Sequence, residues 1–317
     1  MRVLLLFLFL VLVSDAKMLL RRQVIMSTFV SISTEQKYER FVEEGFDIIK
    51  DIENSLSSYK HTAPVYLLNE KGHAKLDMYS YEALSLSKRY YQKTNGYFDI
   101  TIGSITKDLY RFGEDERIVG KKQLKDANVC FEGLYFDKKD AYLQKGIKVD
   151  LGGMGKGFAV DKSAQLFRKN GVSNAIIAAS GDIRCLSTCN IDVQDPFSQD
   201  GILVSFETLK SDLGITTSGN YNRYVGSTNN NHLISPKTKE PQKNFISVTL
   251  IGDLPSSDLD AYATAVSVMP VKEAYRFLDS LGVSYIILGS DKKLVISKNI
   301  SKYTKNLIER YTAKQKP

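Results

Sequence analysis

The chain of 317 residues contains no tryptophan, three cysteines, three histidines and seven prolines. Cys130, Cys185 and Cys189 are too few for a disulfide framework or a cysteine metal cage. Cys185 and Cys189 can pair in an oxidising compartment, but so short a loop closes only in some geometries, and both states stay open. His61, His73 and His232 form no Ser-His-Asp motif and no zinc-ligand spacing, which argues against a hydrolase triad or a zinc enzyme. Low-complexity runs and internal repeats are also absent, and 43% hydrophobic content is that of a compact globular protein. Charge is not clustered. The 43 basic and 36 acidic residues leave a net +7, but they are intermixed, so the modest positive field suits small anionic ligands and no nucleic acid.

The one long apolar run stands at the start. Met1-Arg2 precedes the unbroken stretch Val3 to Val13, and Ser14-Asp15-Ala16 follows. About eleven apolar residues fall short of the ~20 that span a bilayer. Ser14 and Ala16 supply a small-x-small site, so residues 1–16 are expected to be a secretory signal peptide cleaved after Ala16. An uncleaved anchor flanked by Lys17, Arg21 and Arg22 is the alternative. No cysteine lies nearby for lipid attachment. Residues 17–317 are enough for one catalytic unit or two intimately packed subdomains.

Gln36 to Ser58 places Val42, Phe46, Ile49, Ile52 and Leu56 at helical spacing. A second helix is expected over Tyr81 to Lys93, stopped by Asn95-Gly96, and others over Ala159 to Asn170, Ser257 to Val268 and Val271 to Leu281. Tyr97-Phe98-Asp99 reads as a strand start with core aromatics. Short strands are expected at Asn174 to Ala179, Ile191 to Val193, Ile202 to Phe206, Phe245 to Ile251, Tyr285 to Leu288 and Leu294 to Ile296. This mixture predicts an α+β fold with hairpin-like strand spacing rather than a doubly wound parallel sheet.

The most informative stretch is Val149-Asp150-Leu151-Gly152-Gly153-Met154-Gly155-Lys156-Gly157-Phe158-Ala159-Val160-Asp161, a β-like entry that runs into four glycines around a lysine and then a helix. Glycine lets a backbone approach phosphate, a helix start offers free N–H groups, and Lys156 adds a point charge. The spacing is neither a dinucleotide fingerprint nor a Walker A loop, so a tight connection is an equal reading. Asp260 and Thr264, four apart, put a carboxylate and a hydroxyl on one helical face, a hard-oxygen pair suited to Mg²⁺ or Ca²⁺ and enough for Mg²⁺ beside a pyrophosphate. Helix capping and back-bonding are the structural alternative. His232, beside the apolar stretch that includes Ile234, can move a proton near neutral pH, or it is simply a structural histidine.

Taken in order, these segments resemble the ApbE family, the FAD:protein FMN transferases. The likeness runs over nearly the whole of residues 17–317. Met26-Ser27-Thr28 is similar to the family's Met-Gly-Thr, and Ile52-Glu53 through Ser57-x-Tyr59 to its Ile-Glu, Ser-x-Tyr/Trp stretch, followed by Asn69. Gly96-Tyr97-Phe98-Asp99 is similar to Gly-Ala-Phe-Asp. The Gly-rich turn with Asp161, then Ser180-Gly181-Asp182, Ser218-Gly219-Asn220-Tyr221, His232 and Asp260-x-x-x-Thr264 complete the series.

The resemblance implies an ApbE-like fold and an enzyme that binds FAD, cleaves its pyrophosphate with Mg²⁺ and transfers FMN to a threonine or serine hydroxyl of a target protein, releasing AMP. It implies Asp260, Thr264 and the Gly155 carbonyl as metal ligands, and His232, Asp260 and Lys156 as catalytic residues. Flavin or nucleotide contacts would come from Met26, Tyr59, Asn69, Tyr97, Phe98, Asp99, Lys156, Asp161, Ser180, Gly181, Asp182, Ser218, Gly219, His232 and Ile234. Implied acceptors include subunits of NADH:quinone oxidoreductase-type complexes of the inner membrane. An exported protein, periplasmic or attached to that membrane's outer face, agrees with the signal peptide.

Several positions depart from the pattern. Ser27 and Ser180 stand where glycine is common, and Gly155 replaces a common alanine. His-x-x-Asp-Pro followed by Thr-Gly is here His232-Leu233-Ile234-Ser235-Pro236 and Thr238-Lys239, which puts that loop's geometry in question. An FAD pyrophosphatase, an exported FAD carrier and a degenerate paralogue are the competing expectations.

Overall fold

The computed structural model describes residues 17–198 and 200–311; the expected signal peptide, residues 1–16, lies outside them. Apolar spacing sets the helices. In α1 (Glu39–Leu56) the stripe Val42, Phe46, Ile49, Ile52 and Leu56 is buried. α2 spans Pro64–Lys71, with proline in its first turn, where the missing N–H is harmless. α3 (Met78–Lys93) starts at a capping box between Asp77 and Ser80 and is followed by Asn95 and Gly96 at φ of 52° and 76°, the left-handed stop expected there. The remaining helices are α4 (Gly103–Thr106), α5 (Lys121–Asp126), α6 (Gly155–Lys169), α7 (Ser256–Val268) and α8 (Val271–Leu281).

The strands are β1 (Met18–Ile25), β2 (Thr28–Glu35), β3 (His73–Lys75), β4 (Leu134–Phe136), β5 (Asp140–Leu143), β6 (Ala175–Ala179) and β7 (Asp182–Cys185). They continue with β8 (Asn190–Gln194), β9 (Ile202–Thr208), β10 (Leu213–Gly219), β11 (Phe245–Gly252), β12 (Ser284–Gly289), β13 (Leu294–Ile296) and β14 (Thr304–Glu309). Eight of them form one sheet in the order β1-β2-β6-β7-β10-β11-β12-β13, with every pairing antiparallel. Two three-stranded sheets, β14-β9-β8 and β3-β5-β4, complete an α+β architecture.

Both faces of the large sheet's centre are covered, so β11 is almost wholly buried rather than alternating. On one face α1, α6 and α7 close the main core. On the other, Ile215, Ile251, Ile286 and Leu288 of the large sheet meet Ile191, Val193, Leu203 and Phe206 of the small one. Cys185 and Cys189 form a disulfide at this junction, resolving the open pairing. A third cluster, with Ile105, Tyr110, Phe112 and Ile234, lies under the irregular segment around α4 and α5. Among the described residues no helix is long and apolar enough to cross a membrane.

Three local expectations are corrected. The entry to the Gly-rich turn is not a strand: Lys148 makes only an isolated bridge to Ile102, and Val149 is held instead by a side chain. Tyr97 to Thr101 is a run of turns, because the Asp99 carboxylate bonds the N–H and hydroxyl of Thr101 and curls the chain back. α6 begins at Gly155 itself, four residues before the expected Ala159.

Candidate active site

The Gly-rich turn owes its composition first to helix packing. A Cβ on Gly157 would stand 2.3 Å from the Ser256 carbonyl oxygen and 2.8 Å from the Asp260 Cβ, so α6 and α7 approach this closely only across glycine. A Cβ on Gly153 would meet Thr264 Cγ2 at 3.0 Å. Much of the turn's N–H capacity is used internally. Gly152 N–H donates to Asp150, Met154 and Gly155 N–H to the Leu151 carbonyl, and Gly157 N–H to Asp260 Oδ2 at 3.0 Å. The open phosphate cradle expected from sequence is therefore reduced, and a carboxylate occupies part of the helix start.

Lys156 Nζ lies 2.8 Å from Asp182 Oδ2 and 3.5 Å from Asp260 Oδ2. Asp182, at the start of β7, is 1% exposed and Asp260, on α7, 2%. Two buried carboxylates share one ammonium, so one negative charge remains uncompensated in a dry setting. Burial and the charge of Asp182 push the Asp260 carboxyl up to about 7, against the opposing pull of Lys156. Burial alone would lower the Lys156 ammonium, but Asp182 and Asp260 outweigh it and raise it. Asp182 Oδ1 accepts from Thr216 at 2.9 Å, whereas its buried Oδ2 receives no aligned hydrogen bond among the described residues.

Thr264 Oγ1 donates to the Gly153 carbonyl at 3.2 Å. The backbone carbonyl brought to Thr264 is thus that of Gly153, two residues before the expected Gly155. Gly155 instead opens α6, its missing side chain facing Met26 Cε at 3.4 Å. Among the described residues no group of three His, Cys, Asp or Glu side chains is arranged to hold a metal. The donors present are two carboxylates, a hydroxyl and a carbonyl, all hard oxygens. With their uncompensated charge they fit Mg²⁺, which asks for one or two carboxylates and fills its octahedron with water and phosphate.

The other side of the site stands on irregular segments. Tyr59 Oη donates to the Phe112 carbonyl at 2.6 Å and accepts from Lys107 Nζ at 2.6 Å and Arg223 Nη2 at 3.1 Å. Asp150 Oδ2 accepts from Thr106 at 2.7 Å and lies 3.6 Å from Lys107 Nζ. Burial would raise the Asp150 carboxyl, but Lys107 and Arg223 overcome it and hold it down at about 2. His232 Nδ1 lies 3.1 Å from the Arg223 carbonyl. A carbonyl only accepts, so Nδ1 carries the proton and Nε2 keeps its lone pair. Burial, with the charges of Arg223 and Lys156, lowers this imidazole to about 4, so it is neutral at pH 7.

The remaining sequence-predicted residues are placed as follows. Met26 turns the β1–β2 hairpin at φ 56°, its N–H bonded to Glu53. Asn69 uses both ends of its amide on the backbone of Val149 at 2.7 and 2.9 Å, so it positions the Gly-rich turn. Phe98 is buried against Tyr90 and Gly153, and burial raises the Asp99 carboxyl although Thr101 bonds it. The Tyr97 hydroxyl is pushed up to about 12 by burial and Glu273, and Lys237 lies over its ring. Gly181 abuts the Thr217 carbonyl, Ser218 and Gly219 end β10, and Ile234 packs in the third apolar cluster. Asp161, expected as a nucleotide contact, is taken up elsewhere: its carboxylate accepts from Ser256 N–H, Ser257 N–H and the Ser257 hydroxyl, tying down the start of α7.

Sequence reasoning missed Lys107, Arg223 and Thr106. Asp150 was in the quoted stretch without a role. No spacing marks them, since they meet through loops.

The arrangement of Lys156, Asp182 and Asp260 on α6, β7 and α7 coincides with a match of residues 26–287 to the ApbE family model. The chain belongs to the ApbE family. It is 26% identical over 230 residues to an Escherichia coli protein named FAD:protein FMN transferase, covering 66% of this chain and 64% of that one, just under two thirds of the relative's length. A Treponema pallidum protein of the same name is 25% identical over 298 residues, covering 82% and 80%. The ApbE protein of Thermotoga maritima superposes with a TM-score of 0.83 at 23% identity, over 92% of this chain and all of that one. The Vibrio cholerae flavin transferase ApbE gives 0.77 at 20% identity, over 91% and 99%. These likenesses establish the ApbE fold.

The departures from the ApbE pattern then find a common explanation. Ser27, Ser180 and Lys239, three of the positions at which the chain departs from the expected pattern, have φ of 57°, 55° and 60°. The backbone has kept the left-handed turns and tolerates a side chain there. The loop after His232 closes through Lys239 N–H to the Ser235 carbonyl at 2.7 Å and Ser235 N–H to the Glu240 carbonyl at 2.9 Å. Lys239 Nζ adds bonds to the carbonyls of Lys125 and Ala127, so the loop is closed with Ser235 and Lys239 in place.

Proposed function

We propose that this ApbE protein is an Mg²⁺-dependent FAD:protein FMN transferase. The acceptor is the hydroxyl of a threonine or serine in a respiratory flavoprotein, and AMP is released. The observation that carries the reading is the buried Lys156–Asp182–Asp260 group, with Thr264 beside it: hard oxygens with one uncompensated negative charge, next to a neutral histidine. Relatives named FAD:protein FMN transferase in Escherichia coli and Treponema pallidum support it.

When bound by Asp260, Thr264 and a neighbouring carbonyl, the cation supplies charge neutralisation at the pyrophosphate. Lys156, already held among the carboxylates, adds positive charge to the same place. The acceptor oxygen attacks the FMN phosphorus, the anhydride P–O bond breaks toward AMP, and the hydroxyl proton leaves to a base. Nε2 of His232 is the base we assign, since its lone pair is free while Nδ1 is fixed on Arg223. The phosphate charge would raise its basicity. Export to the periplasm, or attachment at the outer face of the inner membrane, completes the proposal and is supported by the N-terminal sequence and the Cys185–Cys189 disulfide.

The test is to incubate the protein with FAD, Mg²⁺ and an acceptor domain carrying an exposed threonine, then to weigh the acceptor with and without chelator. A chelator-sensitive FMN increment is expected. FMN and AMP without an adduct would replace the proposal with a pyrophosphatase, and intact bound FAD would replace it with a carrier.

A further inference from the structure

The site has two electrostatic poles. Lys156, Asp182 and Asp260 sum to one negative charge when all are ionised. Lys107, Arg223 and Asp150 sum to one positive charge, because the Asp150 carboxylate is held ionised and is the one acid paired with these cations among the described residues. His232 lies between them, within the fields of Lys156, Arg223 and Asp150. The common partner of Lys107 and Arg223 is the oxygen of a neutral phenol, Tyr59, which satisfies hydrogen bonds and neutralises nothing. Ring faces help to hold the excess charge: Lys107 Nζ is 4.2 Å from the Tyr59 centroid and Arg223 Cζ 5.5 Å from that of Phe112. Two donors on separate loops that converge on one oxygen, with a net positive charge and an 11% exposed lysine, make a place for an anionic oxygen.

We propose that Lys107 and Arg223 form an anion subsite for the phosphate of the leaving nucleoside monophosphate, a role that rests on the transferase reading above. When the anhydride bond breaks, its electron pair stays on the departing phosphate oxygen, and the negative charge there grows. A cation pair fixed on Tyr59 meets that charge without reorganising. The negative pole holds the metal side of the pyrophosphate and the positive pole the departing side. Arg223 has a second part as a positioning residue, since its own carbonyl fixes His232 Nδ1 while its guanidinium fixes Tyr59.

Calorimetric titration of AMP, with adenosine as the uncharged control, into the chelator-treated full chain tests this. Wild type should bind AMP with salt-sensitive affinity, and Lys107→Met and Arg223→Gln should each weaken it ~10-fold or more. Adenosine binding should be unchanged and Lys107→Arg should retain most of the affinity. Equal losses for AMP and adenosine, AMP affinity within about 2-fold of wild type in both variants, or no AMP binding by wild type would overturn the proposal. Charge-dependent AMP binding without FMN transfer would keep the subsite and remove the transferase reading. FMN transfer with AMP binding indifferent to both substitutions would do the reverse.

Discussion

The two sides of the site are built differently. Lys156, Asp182, Asp260 and Thr264 stand on α6, β7 and α7, elements whose hydrogen bonds are satisfied internally and whose approach is set by glycine at 153 and 157. Tyr59, Lys107, Asp150, Arg223 and His232 stand on connections, held in place by one another through Tyr59 Oη and the Arg223 carbonyl. The first side holds Asp182 and Asp260 together on packed elements, and burial with the Asp182 charge raises the Asp260 carboxyl. The second reaches its geometry by mutual bonding, so losing one member disturbs the rest. The proposed function gives cation binding to the stiff side and proton and leaving-group handling to the adaptable one.

The largest effect should come from the stiff side. Asp260→Asn keeps an acceptor for Gly157 N–H but removes the charge, and we expect transfer to fall ~10³-fold or more. Its thermal midpoint should stay level or rise, since a buried repulsion is relieved. A calorimetric scan beside an AMP-release assay checks this, and a normal rate would remove the metal role.

The adaptable side should dominate the acid response. For His232 the folded value, about 4, lies below the ordinary 6.5, so the unfolded chain binds more protons between those values. This contribution is present above pH 6.5 and lost as pH falls toward 4, up to about 3 kcal/mol. Asp260, raised from 3.8 to about 7, has the opposite slope: its contribution is full below 3.8 and lost as pH rises through 7. Urea titrations of wild type and His232→Gln across pH 4 to 7 should differ in slope, with the variant losing less on acidification. Parallel curves would mean that His232 is not buried in neutral form.

Gly157→Ala presses a methyl onto the Ser256 carbonyl and should destabilise the chain by about 2 kcal/mol, read from urea midpoints at fixed m-value. Were it harmless, the close α6–α7 approach would not be what requires glycine. The smallest effect is expected at the turn between β6 and β7. Ser180→Gly relieves left-handed strain but frees the unfolded chain, for a net gain of about 1 kcal/mol or less. A loss would show that the serine side chain compensates for its backbone.

The stiff side was legible in the sequence because its signals are local. Four residues between Asp260 and Thr264 fix a shared helical face, a glycine run before an amphipathic segment marks a helix start, and the amphipathic stripe of α1 announces its own burial. Even there, the purpose of the glycines stayed open between a phosphate cradle and a tight connection. Sequence shows that a Cβ is missing, not whether phosphate or another helix needs the space, and here Ser256 and Asp260 occupy it. The carboxylate of Asp161 is a like case, since only the packing of α6 against α7 shows it bonded to the start of α7.

The sequence alone therefore determined the α+β class, the main helices, four of the eight strands of the large sheet and the carboxylate–hydroxyl pair, all of which follow from periodicities of two to four residues. Only the tertiary structure decided that Cys185 reaches Cys189, that Asn69 pins Val149, and that Lys107 and Arg223 converge on Tyr59 from positions 48 and 164 residues away. Contacts at that separation are chosen by how the sheet and helices pack, and no local pattern of residues records them.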